Sequence, residues 1–75
     1  MYYTLEHRDG TRHGSHNMTW LIRGYNASRP AQEHVTRPHC YWVLRRNAAR
    51  GRARRYKNVH VRSHEHAVPV DHDYD

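Results

Sequence analysis

Eighteen residues, "RRNAARGRARRYKNVHVR" (45–62), hold eight cations and no carboxylate. The cations are Arg45, Arg46, Arg50, Arg52, Arg54, Arg55, Lys57 and Arg62. Polyanion binding is the chemistry such a set can do. A guanidinium is a planar fork that donates paired hydrogen bonds to phosphate and stacks on rings. Eight like charges left unpaired repel one another, so a run of this density gains by meeting a partner. Tyr41, Tyr56 and His60 place rings beside the cations, and rings stack on bases. Charge and stacking together are what a nucleic-acid surface needs, so these eleven residues form the expected contact set. The bland alternative is a solvated face on which Tyr41 and Tyr56 merely pair across two strands.

Within the block, Arg50-Gly51-Arg52 resembles the centre of an AT-hook. In that module the Gly lets the backbone approach the minor-groove floor, and narrow A·T-rich grooves attract the flanking Arg. The match covers three residues, and the prolines that usually flank that core are absent. A second reading takes 45–57 as an arginine-rich peptide that folds on RNA. Gly51 opposes it, because a mid-helix Gly costs about 1 kcal/mol relative to Ala. Strand-like patterns on both sides also favour a hairpin loop, which puts DNA slightly ahead of RNA.

The other reactive residues suggest less. Nine histidines raise the question of a metal. His64-Glu65-His66 would put two imidazoles on one face of an extended segment, with His34, or His39 beside Cys40, as further ligands. No Cys-x-x-Cys pair or other zinc spacing is present, so neither metal nor cofactor is expected. Asp9, Glu33 and Glu65 are not spaced as a carboxylate cluster. Acid–base cleavage of RNA by His and Arg is the enzymatic option, but nothing selects it, and a non-enzymatic protein is expected.

The elements that must position the contact set are short. "YYTLEH" (2–7) reads as a strand, and Asp9-Gly10 as a tight hairpin turn. "TRHGSH" reads as a loop or a frayed extension of that hairpin. "MTWLIRGY" (18–25) alternates as a strand, although Asn17 as a cap and Gly24 as a stop permit a short helix. Ser28 and Pro30 start a helix of at most two turns that Pro38 ends. "CYWVLRR" (40–46) is rich in good strand formers, and "RRYKNVHVRS" (54–63) is its returning strand. The expected fold is therefore α+β: a small antiparallel sheet in the order β-β-α-β-β carrying one short helix. Residues 1–63 make one small domain, and 64–75 a flexible His- and Asp-rich acidic tail. If Trp42 and Leu44 face the core with Val59 and Val61, Tyr41 and Arg45 point outward beside Tyr56, His60 and Arg62.

Composition sets the remaining bounds. Leu, Ile and Val total ten residues and Phe is absent, so two Trp and six Tyr must supply much of the apolar area. The net charge of +6 is uneven, and the acidic end "VDHDYD" is expected to fold back on the basic block and compete with its partner. Arg is used almost to the exclusion of Lys, which suits phosphate but is also what GC-rich codons produce. A single cysteine fits a reducing interior, and the first ten residues lack a secretory pattern, so cytoplasm is expected. No apolar run approaches membrane-spanning length, so no membrane partner is expected. The function read from these features is a small accessory or regulatory factor that grips nucleic acid through a 45–62 hairpin. The alternative is a protein-interaction module or inhibitor that docks its basic face on an acidic protein.

Overall fold

Strands β1 (Tyr2–His7) and β2 (Arg12–Ser15) pair antiparallel, with Leu5 opposite His13. The computed structural model describes the backbone of residues 1–50 and 55–75 and the side chains of residues 1–46 and 57–75. Asp9-Gly10 makes the β1–β2 turn, in a form different from the two-residue turn expected. His7 O accepts from Gly10 N and His7 N donates to Thr11 O, both at 2.9 Å. Gly10 takes the positive φ (94°), which gives a three-residue loop closed by a glycine bulge. Asp9 Oδ1 accepts from Thr11 N at 2.8 Å, and these bonds to Thr11 hold the carboxyl far below its usual range.

The expected strand over 18–25 is a helix, α1 (Met18–Ala27). Met18, Leu21, Ile22 and Tyr25 are all buried, and their spacing of three and four residues fits a helical face better than an alternating one. Asn17 caps it, its Oδ1 accepting from Trp20 N at 3.1 Å. The helix expected to run from Ser28 to Pro38 is reduced to one 3₁₀ turn, Ala31–Glu33. The linker after it is fixed by Asn26, whose amide donates to Val35 O (2.9 Å) and accepts from Val35 N (3.0 Å).

The larger correction concerns 40–46, which is not a strand. Helix α2 spans Arg37–Arg50, and Pro38 opens it instead of ending the one before. Thr36 O accepts from Cys40 N at 3.0 Å. Pro38 therefore lies in the first turn, where its missing N–H leaves no intrahelical bond unmade. Cys40 and Val43 are buried and Leu44 is partly buried, a helical spacing that outweighed the strand propensity of Tyr, Trp and Val. Trp42, expected in the core, is about half exposed (52%).

The single returning strand expected over 54–63 is instead broken by a turn at Lys57-Asn58, which takes Lys57 out of the row with Val59 and Val61. Strands β3 (Arg55–Tyr56) and β4 (Val59–His64) meet at Lys57-Asn58, with φ of 47° and 66°. Two positive φ values in a two-residue loop are the signature of a type I′ turn. Val59 and Val61 face the core as expected, both fully buried, with Val61 opposite Leu5 on β1. Residues 45–50 belong to α2, so the 45–62 block is not one hairpin.

Residues 64–75 do not form a loose tail. After β4 the chain crosses the sheet face opposite the helices, where Val68 borders Thr4, Arg62 and His64, and Pro69 and Val70 border Gly10 and Arg12. It then adds β5 (His72–Asp73), parallel to β2. Asp71 N donates to Arg12 O (3.0 Å), Asp71 Oδ2 accepts from Arg12 N (2.8 Å), and Tyr74 N donates to Gly14 O (2.9 Å). Asp75 accepts from Ser15 Oγ and His16 N, both at 2.7 Å. The Tyr74 ring lies against α1 so closely that only a glycine fits at position 24. The sheet order is β3-β4-β1-β2-β5, mixed in direction, so the acidic segment pairs at the sheet edge away from β3. The class is α+β, with α1 and α2 on one face around a core of Leu5, Leu21, Ile22, Tyr25, Val35, Val43, Val59 and Val61.

Candidate nucleic-acid interface

With Cys40 and Val43 turned toward the sheet and Leu44 packed beside them, the exposed described side chains of α2 are Arg37, Pro38, His39, Tyr41, Trp42 and Arg45. Helical spacing sets Arg37, Tyr41 and Arg45 in one row and Pro38, Trp42 and Arg46 in the next. Tyr41 is 60% exposed, more than Trp42. The Arg46 guanidinium carbon lies 4.5 Å from the centre of the Trp42 ring, covering one of its faces. Two shallow grooves meet at Pro38. One of about 260 Å³ is lined by Pro38, His39 and Trp42, and one of about 370 Å³ by Arg37, Pro38 and Tyr41. No Asp or Glu occurs between Glu33 and Glu65, while Arg37 and the eight cations of the 45–62 block lie in that stretch. A surface of this kind can pair with phosphates and stack on flat rings.

The expected contact set is divided by the fold. Tyr41, Arg45 and Arg46 share the outer face of α2. His60 and Arg62 do not join them: on β4 they alternate with Val59 and Val61, and so point to the sheet face away from the helices. Lys57, at the hairpin tip, donates from Nζ to His34 O at 3.1 Å. The side chains of Arg50, Arg55 and Tyr56, and all of Arg52 and Arg54, lie outside the described residues. Trp42, Arg37 and Pro38 were absent from the expected set. The signal that would have found them is the spacing Cys40, Val43, Leu44, which puts Trp42 on the outer side of a helix.

The open sheet face is a poorer platform for a polyanion. Arg62 and His60 there face Glu6, which accepts from Arg12 Nε at 2.9 Å. The Arg12 hydrogen bond, with help from Arg62 and His60, lowers the Glu6 carboxyl below its ordinary range. The charge of this face is thus partly compensated, and residues 68–71 border it.

The histidines serve the fold in other ways. His7 is buried between Asp9 Oδ1 (3.1 Å) and Glu33 Oε1 (3.4 Å). His13 bonds through Nδ1 to the Tyr74 hydroxyl at 2.7 Å, with His72 and Tyr74 stacked beside it at 5.0 and 5.8 Å. His64 Nε2 lies 3.0 Å from Thr4 Oγ1, and burial lowers its pKa. Among the described residues, no three His, Cys, Asp or Glu side chains converge as metal ligands. Burial pushes the Cys40 thiol up to about 12, which keeps it protonated and inert. Among the described residues no helix is long and apolar enough to cross a membrane. Comparison with protein-family models, curated proteins and solved structures returns no match.

Proposed function

We propose that this protein binds nucleic acid through the outer face of α2, with the following basic residues extending the grip. The observation that carries the reading is the pair of exposed rings, Tyr41 and Trp42, set among Arg37, Arg45 and Arg46. That face lies in a stretch of sequence without one carboxylate. Phosphates answer the guanidinium groups and bases answer the rings. The helix changes one part of the expectation. A strand before the basic block was a ground for preferring DNA to RNA, and α2 occupies that place, so both are ligands to test.

A second reading is favoured by Trp20 and Trp42, each about half exposed (51% and 52%). Large exposed rings beside arginines are also what a docking site for an acidic protein presents. Salt titration separates the two. The purified chain would be titrated with duplex DNA and with an RNA hairpin, beside the Arg45→Ala/Arg46→Ala variant. Counterion release predicts a log–log slope of about −0.9 per phosphate neutralised on duplex DNA, so the variant should lose roughly 2 from the parent's slope. Weak binding of both ligands at physiological salt, with no difference in the variant, would defeat the nucleic-acid reading and turn the search to an acidic protein.

A further inference from the structure

Resting on that reading, we infer that the α2 site selects unpaired bases, so that its ligand is single-stranded nucleic acid rather than the groove of a duplex. The described exposed side chains of α2 are Arg37, Pro38, His39, Tyr41, Trp42 and Arg45. Arg37 and Arg45 can read a guanine edge, but none of these described side chains is Asn, Gln, Ser or Thr, the amides and small hydroxyls that read the other base edges in a groove. What it offers is flat apolar surface and positive charge.

In a duplex each base is covered above and below by its neighbours, and a protein ring meets a base face only where the stack is broken. A side chain that exists to stack therefore suits unpaired strands. Trp42 is held for that task. Arg46 covers one face of its ring at 4.5 Å, and the 260 Å³ groove shared with Pro38 and His39 borders it. Tyr41, one residue earlier, borders the companion groove on the Arg37 side of Pro38. Two rings beside one rigid proline make two neighbouring stations for successive bases. Arg37 and Arg45 stand one turn before and one turn after Tyr41, where they meet the phosphates that link those bases.

The test uses the full chain, carrying Trp20→Phe so that Trp42 alone reports. Its fluorescence would be followed while a mixed-sequence DNA single strand, the same sequence as RNA, and the matching DNA duplex are added at equal nucleotide concentration. Heparin serves as a base-free polyanion. The expected result is quenching of Trp42 by both single strands, and single-strand affinity at least tenfold above that for duplex. Tyr41→Ala, and Trp42→Ala followed by anisotropy of labelled strand, should each weaken single-strand binding roughly 5- to 100-fold and duplex binding by a much smaller factor. Far-UV circular dichroism confirms that each variant is folded. Equal or tighter binding of duplex, insensitive to Tyr41 and Trp42, would overturn this inference and leave the broader nucleic-acid reading standing. Heparin binding as tight as strand, without effect of either ring, would likewise reduce the site to charge alone. Binding of none of these ligands would remove both proposals.

Discussion

The buried imidazole of His13 should contribute strongly to acid unfolding of this protein. His13 is 2% exposed, with Nδ1 on the Tyr74 hydroxyl and its buried Nε2 without a hydrogen-bond partner among the described residues. Tyr25 approaches edge-on at 5.1 Å, and the rings of His72 and Tyr74 are stacked beside it. A proton added there gains no solvation, and it meets repulsion from His72 and Arg29 that Asp9 and Asp71 only partly offset. Burial first, then those charges, lower the pKa from its ordinary value near 6.5 to about 4. The unfolded chain therefore takes up this proton before the folded one. Stability is fully present above about pH 6.5 and is lost as pH falls toward 4. At about 1.4 kcal/mol for each pH unit, the loss amounts to about 3 kcal/mol, a large fraction of what a chain of this size holds. Urea unfolding between pH 7.5 and 4 would measure it against His13→Gln, which cannot titrate but keeps a polar partner for Tyr74. The variant should show an acid dependence shallower by about 3 kcal/mol over that range. An identical acid dependence in the two proteins, or an NMR titration placing His13 at its ordinary value, would mean that burial of this ring does not weaken the fold in acid.

Two further outcomes follow from backbone positions. Gly24→Ala puts a methyl group into the Tyr74 ring, so it should cost about 1–3 kcal/mol and speed hydrogen exchange at the Tyr74 amide, which is bonded to Gly14. Asn58 holds a φ of 66°, so Asn58→Val should cost about 1–2 kcal/mol in thermal unfolding while Asn58→Gly stays near the parent.

What the sequence made legible follows from where local signals and tertiary demands agree. "YYTLEH" and the place of the turn at Asp9-Gly10 read correctly because alternation and turn chemistry point the same way, although the turn has three residues and only Gly10 takes a positive φ. Val59 and Val61 read correctly because a two-residue period allows both to face inward. The stretch 40–46 misread because Tyr41, Trp42 and Val43 favour strands, while the burial of Cys40, Val43 and Leu44 demands a helix, and burial decided. Pro38 was legible as punctuation but not in its sense, since one proline equally stops a helix before it and starts one after it. The C-terminal strand was illegible because "VDHDYD" is polar and short. Its order comes from Asp71 on the Arg12 backbone, Tyr74 over Gly24 and Asp75 on Ser15 and His16, partners about fifty to sixty residues away. The basic and aromatic character of the candidate site was readable from composition, whereas its position on a helix depended on that one misread element.

Strand β1 lies inside the sheet between β2 and β4. One of those partners is its sequence neighbour, and the other arrives with residues 59–64. During synthesis the β1–β2 hairpin can close early, yet a lone hairpin is marginal in water. Leu5 then has no Val61 to pack against until some fifty further residues have been made. At about 5–20 residues per second that is a wait of several seconds. Much of the sheet depends on pairing across long stretches of chain, so folding must wait for closure of a long loop. The basic segment lies inside that loop, and the ribosome, itself a dense polyanion, is the first surface it meets before the protein is folded.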